Sequence, residues 1–230
     1  MNFKDFIITD RENRNSEKFE GTFLDYLEIV KQNPDVAKLS HKRLYDFIMS
    51  KGVEVLKADE NPRIRKIYGN ETIREYGYFK DDFFGIDKVI MKIVNYLHSA
   101  SMKGEESRQV LYLVGPVGAG KSSLVESLKS ALVHCEPIYS IKGCPMHEEP
   151  LHLVPNHLRD EFNKMLGTQI EGDLCPVCKY RLLHEFNGEY ENFPVERKGF
   201  SIRSRKGIGV VPPVDPNNQD TSILTGSIDI

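Results

Sequence analysis

The chain has 230 residues, 40% hydrophobic and 28% charged, enough for one large domain or two small ones with the balance of a globular protein. No apolar run approaches the roughly 20 residues needed to span a bilayer, and Met1 to Lys18 is polar without a secretory core, so a cytoplasmic protein is expected. A net charge of −3 is too small to argue for a membrane or nucleic-acid partner.

Residues 1–18 read as a flexible polar start. Residues 19–32 read as a helix with Phe23, Leu24, Leu27 and Val30 on one face. Residues 40–50 read as a second helix, opened by Ser40, ended near Gly52, with Leu44, Tyr45, Ile48 and Met49 apolar. The mixed, charged stretch 53–82 shows no clear period, and 19–80 is taken as a helical lead-in region. Phe83-Phe84-Gly85-Ile86 then precedes Asp87 and a helix striped by Val89, Ile90, Ile93, Val94 and Leu97. A polar link, Ser101 to Arg108, leads to the apolar run Val110–Val114, which has the look of a buried parallel strand.

That run enters Gly115-Pro116-Val117-Gly118-Ala119-Gly120-Lys121-Ser122, which fits the phosphate-loop pattern G-x-x-x-x-G-K-[ST] at every fixed position. A helical pattern, Leu124, Val125, Leu128, Ala131 and Leu132, leaves it. Strand, loop and helix in this order give the motif its meaning. Glycines let the backbone approach a phosphate, and successive N–H groups at the positive end of the helix form an anion nest. Gly115 to Ser123 are thus the candidate phosphate site. Lys121 would reach the β- and γ-phosphates of ATP, and Ser122 would offer its hydroxyl to Mg²⁺.

Residues 136–142 read as the next strand. From Gly143 to Lys206 the pattern breaks into two cysteine-bearing turns, a helix near 157–166 and a basic segment. In that segment, with Arg197, Lys198, Arg203, Arg205 and Lys206, the alternation from Phe200 suits a half-exposed strand with a solvated basic face better than a nucleic-acid surface. Residues 207–220, rich in Pro, Asn and Asp, read as loop. Cys144-Pro145-Met146-His147 and Cys175-Pro176-Val177-Cys178 are two short ligand turns separated by 27 residues. Three thiolates and one imidazole would suit a structural tetrahedral Zn²⁺, with His152 as substitute ligand, against the alternative of unliganded thiols. Cys135 reads as a buried small apolar residue. Glu148 and Glu149 read as a solvated turn, because Pro150 breaks the helix that a His-Glu-x-x-His metalloprotease site needs.

The pairing of Phe83–Asp87 with the phosphate loop resembles an AAA+ nucleotide-binding domain. Five segments in order, Phe19–Leu27, Gly115–Leu124, Gly143–His152, Gly172–Cys178 and Asn217–Asp220, are together similar to the PrkA serine protein kinase family. The resemblance runs from about residue 19 to the end, with Ala119 standing where family members often have Gly. It implies an α/β P-loop fold with a parallel sheet over 81–230, an insertion at about 143–206, and Phe84, Gly85 and Ile86 against the adenine. It also implies a bacterial protein linked to stress response or sporulation, with protein phosphorylation or ATP-driven protein remodelling as output. No ordinary protein-kinase fold is expected, since Asp82-Phe83-Phe84-Gly85 is not Asp-Phe-Gly and no His-Arg-Asp loop occurs.

Hydrolysis also requires an acidic residue after an apolar strand to hold Mg²⁺. No segment after Ser122 supplies one: Asp229 has a weak apolar lead-in, and the acids after Val53 precede the loop. The expectation is therefore the N-terminal part of a PrkA-like protein, ending inside its AAA+ domain. Its partners would be a protein substrate or the remaining half, with homo-oligomers when complete. The alternative is a zinc-stabilised regulatory module that binds nucleotide without turnover.

Overall fold

A computed structural model of the chain describes residues 3–4, 19–57, 62–204 and 207–211. The expected polar start, the basic residues Arg205 and Lys206, most of the expected loop at 207–220, and Asp229 lie outside the described residues.

Strand β1 (Glu20–Thr22) precedes helix α1 (Phe23–Gln32). The helix starts at Phe23 rather than residue 19 because Thr22 caps it. The Thr22 hydroxyl accepts from the Asp25 amide at 3.3 Å, and the Asp25 carboxylate accepts from the Thr22 amide at 2.7 Å. This reciprocal pair satisfies two amides that an uncapped helix leaves orphaned. Phe23, Tyr26 and Val30 turn inward, whereas Leu24 of the expected apolar face is exposed.

Helix α2 (Ser40–Ser50) spans the residues its pattern predicts. The stretch without a period holds β2 (Val53–Leu56), α3 (Pro62–Tyr68) and β3 (Ile73–Tyr76), the two strands pairing antiparallel with Val53 opposite Tyr76 and Leu56 opposite Ile73. Four-residue strands are too short for alternation to stand out from their charged neighbours. Helix α4 (Asp87–Ser101) buries Ile90, Ile93, Val94, Leu97 and Ala100. Helix α5 (Lys121–Val133) buries Leu124 and Ala131, while Val125 faces outward.

Strand β4 (Ile138–Ile141), helices α6 (Arg159–Leu166) and α7 (Pro176–His184), and strand β5 (Pro194–Lys198) complete the described elements. A three-stranded sheet has the order β1–β5–β4, antiparallel throughout, so β5 joins residues 20–22 to residues 138–141. The basic strand lies at 194–198. Ser201 forms only an isolated bridge and residues 202–204 are a turn, which corrects the strand expected from Phe200.

The expected parallel sheet is not among the described elements. Among the described residues both sheets are antiparallel, and Val110–Val114 forms no strand. Val110, Tyr112 and Val114 are 90%, 83% and 81% exposed; only Leu113 packs inward. An apolar run is buried by neighbours, and no described strand lies beside this one.

Two cores result. The first gathers Phe23, Tyr26 and Val30 with Ile141, Val154, Phe193 and Val195, and with Cys144, Cys175 and Cys178. The second packs α2, α4 and α5 through Leu44, Ile48, Ile93, Val94, Leu97 and Leu124, together with Tyr76 and Phe79. Each fully buried large side chain contributes about 2 kcal/mol. Arg43 stands between the two. Its buried guanidinium donates to the carbonyls of Lys38 at 2.9 Å, Val36 at 2.7 Å and Glu136 at 3.0 Å. A buried cation needs such acceptors.

Candidate functional site

The phosphate loop runs over the open start of α5. Gly118 and Gly120 have φ of +81° and +78°, a left-handed conformation that residues with a Cβ rarely adopt. Their alternation bends the backbone so that the chain enters α5 directly at Lys121. The first-turn amides of an α-helix have no acceptor inside it, and no side chain caps this one. Partial positive charge therefore gathers where Lys121, Ser122 and Ser123 begin the helix. Lys121 Nζ folds onto the loop, donating to the carbonyls of Gly115 at 2.7 Å and Pro116 at 2.6 Å. The ammonium is thus held over the loop by exposed acceptors it can exchange for others. Gly115 to Ala119 and Ser122 and Ser123 are all exposed, an accessible cradle whose donors suit an anion.

The turn before α4 is formed as well. Gly85 has φ of +78°, Ile86 precedes the helix and packs on the second core, and Phe84 is exposed. Tyr68 donates to the Asp87 carboxylate at 2.5 Å and fixes the helix start that follows.

The second group of expected site residues lies in the first core. Cys144, Cys175 and Cys178 come together with Glu148, their ligand atoms all within 4.8 Å of one another. The four cysteines of the chain are free thiols. His147 is not in this group: Lys198 Nζ donates to its Nδ1 at 2.9 Å. Tight turns build the cluster. Gly143 and His147 both have positive φ, the Cys144 amide donates to Ile141 O at 3.1 Å, and the His147 amide donates to Cys144 O at 3.2 Å. On the other side, Cys175 Sγ accepts from the Cys178 amide at 3.4 Å and caps α7.

Glu148 and Glu149 do not form the solvated turn expected of them. Glu148 is only 9% exposed, and its Oε1 accepts from the Cys175 amide at 2.7 Å. Tyr26 donates to the Glu149 carboxylate at 2.6 Å, and burial raises the Glu149 pKa above the usual carboxylate value. Burial likewise pushes the Cys175 and Cys178 thiols up. Sequence reasoning passed over Glu148 because, two residues before the helix-breaking Pro150, it reads as part of a solvated turn. The available signal was its position four residues after Cys144, within reach of the same turn. Cys135 is half-buried, its thiol donating to Ala131 O at 3.4 Å.

A cleft of about 570 Å³ lies between residues 34–42 and 167–171, away from the phosphate loop. Its Lys38, Lys42 and Lys103 each already meet a carboxylate. Among the described residues no helix is long and apolar enough to cross a membrane.

The PrkA AAA domain family matches residues 21–230. The chain is similar to the ATP-dependent protease PrkA of Bacillus subtilis (strain 168), 42% identical over 225 residues that cover 95% of this chain and 33% of that protein. It is similar to the serine/threonine kinase YeaG of Escherichia coli (strain K12), 33% identical over 238 residues that cover 100% of this chain and 36% of that one. Half of it is also similar to the Lon protease of Methanosphaera stadtmanae, 34% identical over 114 residues, 13% of that protein's length. The chain spans about a third of the length of the first two relatives. No solved structure matches.

Proposed function

The chain belongs to the PrkA AAA domain family, and from that membership we propose that it binds ATP with Mg²⁺ at residues 115–123, for chemistry directed at a protein. The observation that carries this reading is the uncapped start of α5, with Lys121 held over the loop by two carbonyls. Phosphate oxygens would take over those contacts, and the amides at the helix start would point at the same anion. Ser122 would hold Mg²⁺, and Phe84, Gly85 and Ile86 would line the adenine side. Bound Mg²⁺-ATP supplies an activated γ-phosphoryl group; the loop's own part is to bind it and neutralise its charge.

One relative is named an ATP-dependent protease and another a serine/threonine kinase. The element we carry over from both is nucleotide-dependent action on a protein substrate. A second reading is a zinc-stabilised regulatory module that binds ATP without turnover.

Calorimetric titration with Mg²⁺-ATP is expected to give saturable binding. Lys121→Ala should weaken it by about a hundredfold, the loss expected for one strong charge-assisted contact. Equal binding by both proteins would remove the site. Steady-state turnover that Lys121→Ala abolishes would exclude the binding-only reading.

A further inference from the structure

We propose that Cys144, Cys175, Cys178 and Glu148 hold one zinc ion as a closed structural centre, with Glu148 rather than His147 as the fourth ligand. In a tetrahedral site with Zn–S bonds of about 2.3 Å, two sulfurs lie about 3.8 Å apart. Cys144 Sγ and Cys175 Sγ are 3.8 Å apart, with no bond between them. Cys144 Sγ and Glu148 Oε2 are 4.0 Å apart, and all four ligand atoms fit within 4.8 Å.

The surroundings are organised as a metal site needs them. Glu148 presents Oε2 toward Cys144, while its Oε1 is held by the Cys175 amide at 2.7 Å and lies 3.3 Å from His152 Nδ1. One carboxylate oxygen is thus left for a cation and the other is tied down, as is usual around bound metals. His152 is itself positioned by Gly172: a Cβ at Gly172, which has φ of +92°, would sit 2.9 Å from His152 Nε2. The Cys178 amide donates to the Cys175 sulfur at 3.4 Å, the kind of contact that supports a thiolate.

Three soft sulfurs with one carboxylate select zinc over magnesium or calcium, which take oxygen ligands. Four protein ligands leave no open position. Cys178 is fully buried and Cys144, Cys175 and Glu148 nearly so, which suits a structural centre and not a catalytic one. His147 meets Lys198 instead and is not among the four clustered ligand residues. The centre is separate from the phosphate loop, so it stands or falls independently of ATP binding.

The test uses the full 230-residue chain without a polyhistidine tag, purified without chelators. Elemental analysis is expected to find one zinc per chain. Titrating the three thiols with a mercurial should release it to a colorimetric indicator. Cobalt exchanged into the wild-type protein should give thiolate charge-transfer and tetrahedral d–d bands. Glu148→Gln should speed zinc loss to a competing chelator by at least about tenfold, while His147→Ala should retain the ion as wild type does. A folded wild-type chain that carries no zinc, takes up no cobalt and is indifferent to chelator would overturn the centre. Unchanged retention in Glu148→Gln together with loss in His147→Ala would overturn the ligand assignment. The wild-type measurements decide the first question even where a variant fails to fold.

Discussion

The two cores bury the same kinds of side chain by different means. In the second, α2, α4 and α5 meet along apolar stripes at helical spacing, and the helices would present those stripes whatever lay between them. The first joins residues more than a hundred positions apart, Tyr26 to Glu149 and Glu20 to Lys142, through short strands, 3₁₀ turns and a cluster of thiols. Local periodicity organises one; long-range polar and sulfur contacts organise the other. A core of the first kind tolerates the loss of one contact, whereas a core held by a few convergent groups fails when one of them goes.

The largest expected effect comes from removing the thiols. Cys175→Ser with Cys178→Ser is expected to abolish amide protection across residues 141–195, with α4 and α5 still protected by hydrogen exchange. Equal loss in both regions would mean that the cores fold as one unit. Next in size is Arg43→Leu, which removes the donor shared by the carbonyls of Lys38, Val36 and Glu136 and should cost about 3 kcal/mol in denaturant unfolding. Because Arg43 stands between the cores, that loss should appear in both. Tyr26→Phe removes only the bond to Glu149. It should cost about 1 kcal/mol and raise exchange in the first core alone.

The smallest effect concerns pH. Burial disfavours the charge of Asp46, but the ammonium groups of Lys38 and Lys42 outweigh it and hold the carboxyl below its usual range. The stabilisation is therefore complete above about pH 4, and is lost as pH falls through the lowered folded value. Asp46→Asn should lose under about 1 kcal/mol at neutral pH, since the groups are partly exposed. The difference from wild type should close in acid; a constant difference would remove the ion pairs from the account.

The same contrast explains which features are legible in the sequence. Helix α2 is carried by its own stripe and by Gly52 beyond it, and the phosphate loop is a local motif whose glycines must sit where they do. Glu148 was hidden because its burial depends on an amide 27 residues away, at Cys175. Strand β1 reads as part of α1 because three residues carry no period, and only the Thr22 cap separates them. Val110–Val114 reads as a buried strand because hydrophobicity is local, whereas burial requires neighbours that no nearby residue announces.

The most direct measurement is hydrogen exchange on the full chain with and without Mg²⁺-ATP. Slowed exchange confined to residues 115–124 and the second core, absent in Lys121→Ala, is the predicted result. No slowing at the loop, or slowing only in the first core, would contradict it.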